Sequence, residues 1–264
     1  MPSDTLNAPK PASRGKATAT ATPRATAVDI WYWPLDVASA GLDDTVISAD
    51  ERVRADRLHS AVHRSAFIAA RTGLRTVLAS YAGATPDALV FATGAHGKPA
   101  LDGSDVGRTS ALHFNLSHAG GFAALAVCRT HPVGIDIEQP RLVSRNLPQR
   151  FFSPDEAIEL DRLADGPAWE DAFFRIWTRK EAVLKALGTG LSLDTRTFTV
   201  SIGNTAPLTV SGIEPEASDD RLWQLMSLEP PGPTHVAALA VRSIDQPAVT
   251  YRQWRHRATA GAPV

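Results

Sequence analysis

The chain has 264 residues, a formal net charge of −1 and one cysteine, long enough for one large domain or two small ones with a proper core. Its balanced charge gives no case for a nucleic-acid or membrane-surface binder, and lone Cys128 excludes an internal disulfide and any cysteine-cluster metal site. No apolar run reaches the length of a membrane span and no long apolar h-region follows the N-terminus, so the expectation is a soluble, cytoplasmic protein.

Residues 1 to about 26 are rich in Ala, Thr, Pro and Ser with almost no large apolar side chain. This predicts a disordered tail, because such a segment buries too little to offset its ordering entropy. Residues 28–33 alternate into an aromatic strand stopped by Pro34. Ser48, followed by Asp50 and Glu51, marks a helix start with acids in its first turn. Phe67, Leu74, Val77, Leu78 and Tyr81 form an apolar stripe over a helix at 65–81, which Gly83 ends. Gly97-Lys98-Pro99 reads as a turn toward Leu101. His113 to His118 closes a strand at the break Gly120-Gly121, and 122–129 is a small-apolar strand buried on both faces. Only Thr130, His131 and Pro132 separate it from the next strand, which predicts that the two are hairpin neighbours.

Ser153-Pro154-Asp155-Glu156 has the form of a capping box with proline at the first helical position. A helix at 168–187 follows, made core-seeking by Phe173, Phe174, Trp177, Leu184 and Leu187 and stopped by Gly188. Strands are expected at 197–202, 222–228, 236–241 and 249–254. The run Ala123-Ala124-Leu125-Ala126-Val127 recurs letter for letter as Ala237-Ala238-Leu239-Ala240-Val241, each copy ending a strand–helices–strands succession. That echo suggests two similar lobes joined near residue 130.

The chemistry gathers on Val133-Gly134-Ile135-Asp136-Ile137-Glu138. On a strand, Val133, Ile135 and Ile137 share one face, and Asp136 and Glu138 project from the other. Neighbouring carboxylates repel unless a cation or water separates them, so the stretch is either a wet acidic face or part of a cation site. On the helix at 168–187, Glu181 and Lys185 stand at i and i+4, which alone makes a surface ion pair worth ~0.3–0.5 kcal/mol. Beside Asp136 and Glu138, however, Glu181 completes a three-carboxylate oxygen site of the kind Mg²⁺ takes, with Lys180 and Lys185 flanking it as phosphate donors. Asn115-Leu116-Ser117-His118 is a poor nucleophile site, since it lacks the G-x-S-x-G elbow and Ser117 and His118 point apart, but it suits phosphate contact. There is no Walker loop, dinucleotide fingerprint or zincin helix.

Five stretches occur in the order of a known family: Gly97-Lys98-Pro99, Asn115-Leu116-Ser117-His118, Gly134-Ile135-Asp136-Ile137-Glu138, Phe151-Phe152-Ser153-Pro154-Asp155-Glu156, and Trp177-Thr178-Arg179-Lys180-Glu181-Ala182 with Lys185. Together, over residues 97–191, they resemble the 4'-phosphopantetheinyl transferases, in particular the two-lobed type that acts on carrier domains of megasynthases. The resemblance implies an α+β fold of two similar lobes in tandem, forming a pseudo-twofold dimer within one chain. The lobes are expected at 27–130 and 131–264.

It further implies coenzyme A as co-substrate and an apo acyl or peptidyl carrier protein as partner, with no nucleic acid, no membrane and a monomeric enzyme. Asp136, Glu138 and Glu181 would hold Mg²⁺, or Mn²⁺ in its place, against the pyrophosphate. Lys98, Ser117 and His118 would contact the nucleotide end, with His118 at the 3'-phosphate. Lys185 would neutralise the pyrophosphate and assist the leaving group. The carrier serine would attack the β-phosphorus, with Glu181 as the general base and Glu156 as a weaker alternative. After its first strand the family uses basic residues; here that loop reads Glu51-Arg52-Val53-Arg54-Ala55-Asp56-Arg57, leaving Arg54, Arg71 and Arg75 as substitutes. A non-catalytic carrier-binding module and a Mg²⁺-dependent phosphohydrolase of coenzyme A are the competing readings.

Overall fold

The structure, a computed structural model, describes residues 26–36, 44–102, 112–205, 207–213 and 222–256. The expected tail lies outside them except for Thr26, which is buried and hydrogen-bonded to Ser243 at 3.1 Å.

Strand β1 (Ala27–Pro34) leads to helices α1 (Ala49–Asp56) and α2 (Ala61–Ala82), then to the short strands β2 (Phe91–Thr93) and β3 (Pro99–Leu101). Strands β4 (His113–Ala119), β5 (Phe122–Cys128) and β6 (Val133–Glu138) follow. Next come helices α3 (Pro148–Phe151), α4 (Pro154–Asp161) and α5 (Pro167–Leu187). The described chain ends in β7 (Thr199–Val200), β8 (Val210–Ser211), β9 (Trp223–Leu228), β10 (Val236–Arg242) and β11 (Ala248–Gln253). The class is α+β.

Local signals set the helix ends. Ser48 and Ser153 both form complete capping boxes, with Glu51 and Glu156 respectively, each cap worth about 1 kcal/mol. Gly83 and Gly188 close α2 and α5 in the left-handed conformation, which a Cβ would disfavour. Helix α2 starts four residues earlier than its apolar stripe implied, because Ser60 caps a further exposed turn. The strand expected at 197–202 shrinks to Thr199–Val200, since 195–197 wind into a 3₁₀ turn.

Two larger sheets make the frame, with strand orders β11-β1-β5-β4 and β6-β10-β9. Strands β5 and β6 are therefore not hairpin neighbours, as had been expected: β1 and β4 claim both edges of β5, and β6 pairs antiparallel with β10. Strand β11 returns from the end of the chain to lie parallel to β1, so sheet membership and chain order part company there. Helix α2 backs the first sheet through Leu74, Val77 and Leu78 against Leu125 and Val127. Helix α5 backs the second through Ala172, Ile176 and Val183 on the side of Ala238 and Ala240. Between the sheets, Val28, Ile30, Ala124 and Ala126 share a core with Val133, Ile135, Ile137 and Leu239.

Both copies of the five-residue echo are central strands, yet they are out of phase. In β5 the leucine, Leu125, faces helix α2; in β10 it is Leu239 that faces the other sheet, and the alanines Ala238 and Ala240 face α5. The reason is how closely α5 approaches: a Cβ on Gly134 would lie 2.0 Å from the carbonyl oxygen of Ala182. At that approach the helix side of the two strands carries Gly134, Ala238 and Ala240. The matched letters are not structurally equivalent positions.

Candidate functional site

The site forms where edge strand β4 of one sheet meets edge strand β6 of the other. Side chains stitch this joint: Asn115 Oδ1 accepts a hydrogen bond from the Ile135 backbone at 2.9 Å, and Ser117 Oγ donates to Asp136 Oδ1 at 2.8 Å. Asn115 and Ser117 share the inward face because strand side chains alternate. Helix α5 adds Lys185, whose Nζ donates to Asp136 Oδ1 at 2.5 Å and to Ser117 Oγ at 3.0 Å. The bare backbone of Gly134 lets α5 sit close enough for this contact.

Asp136 is only 4% exposed, so the acidic strand face is not wet. Its Oδ2 is buried and has no hydrogen-bond partner, a costly condition for a carboxylate oxygen. Burial raises the pKa of Glu181; the charge of Lys185 opposes this, and those of Asp136 and Glu138 raise it further. Three carboxylates thus act on one another across the β6–α5 seam. Glu138 has turned outward, where its Oε2 accepts from Arg141 at 3.2 Å. Among the described residues no three His, Cys, Asp or Glu side chains converge on one point as they stand. The donor chemistry nevertheless suits a hard divalent cation: oxygen ligands, one of them buried and unpartnered, and negative charge in excess of its neutralisation.

Two cavities open beside this seam, and Glu181 lines both. The smaller, about 230 Å³, also takes in His96, Lys98, Asn115 and Lys185. The larger, about 650 Å³, is bounded by Arg150, Phe151, Phe152, Trp177 and Leu193.

Other expected residues lie elsewhere. Lys180 does not flank the carboxylates: it is 2% exposed, and its Nζ donates to Glu156 Oε1 at 2.8 Å and to the Phe198 carbonyl at 2.5 Å. A step of 100° along the helix separates it from Glu181, enough to turn one into the frame and the other into the cleft. Glu156 is fully buried, and both its oxygens are bound, to Lys180 and to the backbones of Val200 and Ser153. It is closed off as a proton acceptor for a substrate. His118 lies on the opposite face of β4 from Ser117 and is exposed.

The acid expected in a loop after the first strand lies instead in helix α1, where it has a structural task. Glu51 accepts from Arg71 Nε at 2.5 Å and Arg75 Nε at 2.6 Å. Arg75 also holds the carbonyls of Pro86 and Leu89, each at 2.9 Å. Arg54 is exposed, with its guanidinium 5.7 Å from the Phe67 ring centre. Two contributors to the site went unassigned in the sequence. Asn115 was signalled by its period-two spacing from Ser117, and Arg141 by its place three residues after Glu138.

Residues 132–240 match the family model of the 4'-phosphopantetheinyl transferase superfamily, and residues 41–130 match that of the 4'-phosphopantetheinyl transferase N-terminal region. The chain is 41% identical over 169 residues to the 4'-phosphopantetheinyl transferase HetI of Nostoc sp., covering 62% of this chain and 70% of the relative. It is 32% identical over 168 residues to a 4'-phosphopantetheinyl transferase of Bacillus subtilis, covering 62% and 71%. Against the 4'-phosphopantetheinyl transferase psf-1 of Bacillus pumilus the identity is 30% over 185 residues, covering 70% and 75%.

Proposed function

The chain belongs to the 4'-phosphopantetheinyl transferase superfamily, and from that premise we propose that it transfers 4'-phosphopantetheine from coenzyme A to a serine of an apo acyl or peptidyl carrier protein. The products are the holo-carrier and adenosine 3',5'-bisphosphate. The observation that carries the site assignment is the buried, unpartnered Asp136 Oδ2 beside a Glu181 carboxyl that burial and two further carboxylates push up.

Asp136 and Glu181, joined by Glu138 once it leaves Arg141, are the residues that would hold Mg²⁺ or Mn²⁺. Such an ion supplies charge neutralisation on the pyrophosphate. Lys185 adds a fixed positive charge at the same place, already oriented by Asp136 and Ser117, so that no reorganisation is needed as charge develops. Glu181 is the proposed acceptor of the attacking serine's proton, directly or through a water. The serine oxygen forms a bond to the β-phosphorus as the bond to the nucleotide-side oxygen breaks, and adenosine bisphosphate leaves with that electron pair. His118, exposed on the other face of β4, remains the proposed contact to the nucleotide end, whereas the Ser117 hydroxyl is taken up by Asp136 and Lys185. The two helix-backed sheets, each centred on a small-apolar strand, support a reading as the halves of a pseudo-twofold pair. We propose a monomeric, cytoplasmic enzyme; among the described residues no helix is long and apolar enough to cross a membrane.

Intact-mass analysis of an apo-carrier incubated with coenzyme A and Mg²⁺ tests the reading. A carrier bearing one phosphopantetheine supports it. An unmodified carrier with coenzyme A split to adenosine bisphosphate makes the protein a phosphohydrolase. An unmodified carrier held in a complex, with coenzyme A intact, makes it a binding module.

A further inference from the structure

We propose that Lys98 is a positioning residue: its ammonium rivets β6 to the last turn of α5 and so sets the spacing between the carboxylates those elements carry. The inference rests on the transferase reading for its catalytic consequence, though not for its structural one.

Lys98 Nζ donates to the Val133 carbonyl at 3.1 Å and to the Ala186 carbonyl at 3.2 Å. Val133 is the first residue of β6, and Asp136 lies three positions beyond it. Ala186 is in the last turn of α5, directly after Lys185 and five positions after Glu181. Its carbonyl is among the last four of the helix, which have no intrahelical donor, and a cation there also complements the helix dipole. One ammonium therefore satisfies a carbonyl from each element, next to the point where the two backbones touch at Gly134.

The lysine reaches this seam from the turn of the β2–β3 hairpin, along the cavity that Glu181 and Lys185 also line, and its stem passes over Gly188. A Cβ on Gly188 would stand 3.2 Å from Lys98 Cδ. Glycine there ends α5 and also leaves room for the stem. No carboxylate is a hydrogen-bonding partner of Lys98 among the described residues, and burial alone draws its pKa down to about 8. Two of the three donors of an ammonium are spent on backbone, which is a bracing arrangement more than a phosphate-binding one. The consequence is catalytic because displacing reactive groups by ~1 Å costs on the order of 10²-fold in rate.

The test compares Lys98→Met, which keeps the stem and loses the ammonium, with Lys98→Arg, which keeps a cation able to donate to both carbonyls. Steady-state transfer is measured with coenzyme A and with dephospho-coenzyme A, and amide hydrogen exchange is followed over 133–138 and 184–188. For Lys98→Met the expectation is a kcat about 10–100-fold lower. KM for coenzyme A should move little, the preference for coenzyme A over its dephospho form should be unchanged, and both segments should exchange faster. Lys98→Arg should restore most of kcat and of the protection.

A raised KM with a lost preference for the 3'-phosphate and unaltered exchange overturns the proposal and makes Lys98 a phosphate ligand. If Lys98→Met does not fold, Lys98→Gln, with one amide donor group, is read by the same measurements. If wild-type protein transfers nothing, the functional reading fails, while the exchange comparison still decides whether Lys98 braces the seam.

Discussion

Glu156, on α4 beside α5, and Glu181, on α5 itself, are both drawn into the protein, and their surroundings differ completely. Glu156 has each oxygen engaged, Oε1 by Lys180 Nζ at 2.8 Å and the Val200 backbone at 2.7 Å, and Oε2 by the Ser153 backbone at 2.8 Å. Glu181, one residue along from Lys180, has its pKa raised by burial first and then by Asp136 and Glu138, with Lys185 in opposition. The first arrangement pins α4 to α5 and fixes how α5 is rotated. The second leaves charge uncompensated at the cleft. Acids with a complete set of partners build the frame, and an acid without one marks where a cation belongs.

The largest effect is expected where Asp136 is replaced. Asp136→Ala should lower labelling of an apo-carrier by fluorescent coenzyme A on the order of 10³-fold, with the fold retained by circular dichroism. Full labelling would mean that the cleft acids are ornamental. Breaking the frame instead should cost stability. Lys180→Met leaves Glu156 buried without its cation, and urea unfolding should show a loss of about 3–5 kcal/mol. Adding Glu156→Gln to that variant should recover part of the loss, because the stranded charge is gone.

A smaller effect is expected at Glu51, the paired acid of the other half. Burial acts to raise its pKa, but hydrogen bonds from Arg75 and the Ser48 backbone and the charge of Arg71 outweigh that, and the net shift is downward from 4.5. A depressed carboxylate stabilises the fold above its unfolded pKa, and the contribution fades as pH falls through the folded value. Glu51→Gln should therefore cost about 1–3 kcal/mol at neutral pH, with the gap to wild type narrowing in urea melts below pH 4.5. Glu181 has the opposite sign. Its penalty sets in as pH rises past the unfolded value of 4.5 and is complete once pH exceeds the raised folded value, so in metal-free buffer at neutral pH Glu181→Gln should melt at or slightly above the wild-type temperature. A clear drop in its melting temperature would show Glu181 to be a frame residue like Glu156.

Much of this was legible in the residues alone because it depends on short periods. Alternation along 133–138 assigned Asp136 and Glu138 to one side, and the helix-start signal at Ser48, the capping box at Ser153 and the glycines at 83 and 188 set helix ends. What escaped depends on which surfaces meet. Nothing local says that Lys180 turns into the frame while its neighbour Glu181 turns out, because that needs the position of Glu156 and Phe198. The pairing of β6 with β10 joins strands a hundred residues apart, and the tight loop to β5 pointed the wrong way. The acid at Glu51 looked like a defect in a basic loop until Arg71 and Arg75 were seen to close on it. The five-letter echo located two central strands, but the closeness of α5 set their opposite phase.

Direct calorimetric titration with Mn²⁺ in the absence of coenzyme A tests most simply whether the β6 and α5 carboxylates form one cation site. One bound ion per wild-type chain is expected, with affinity falling at least about tenfold in both Asp136→Ala and Glu181→Gln. Unchanged Mn²⁺ binding by those two variants would contradict it.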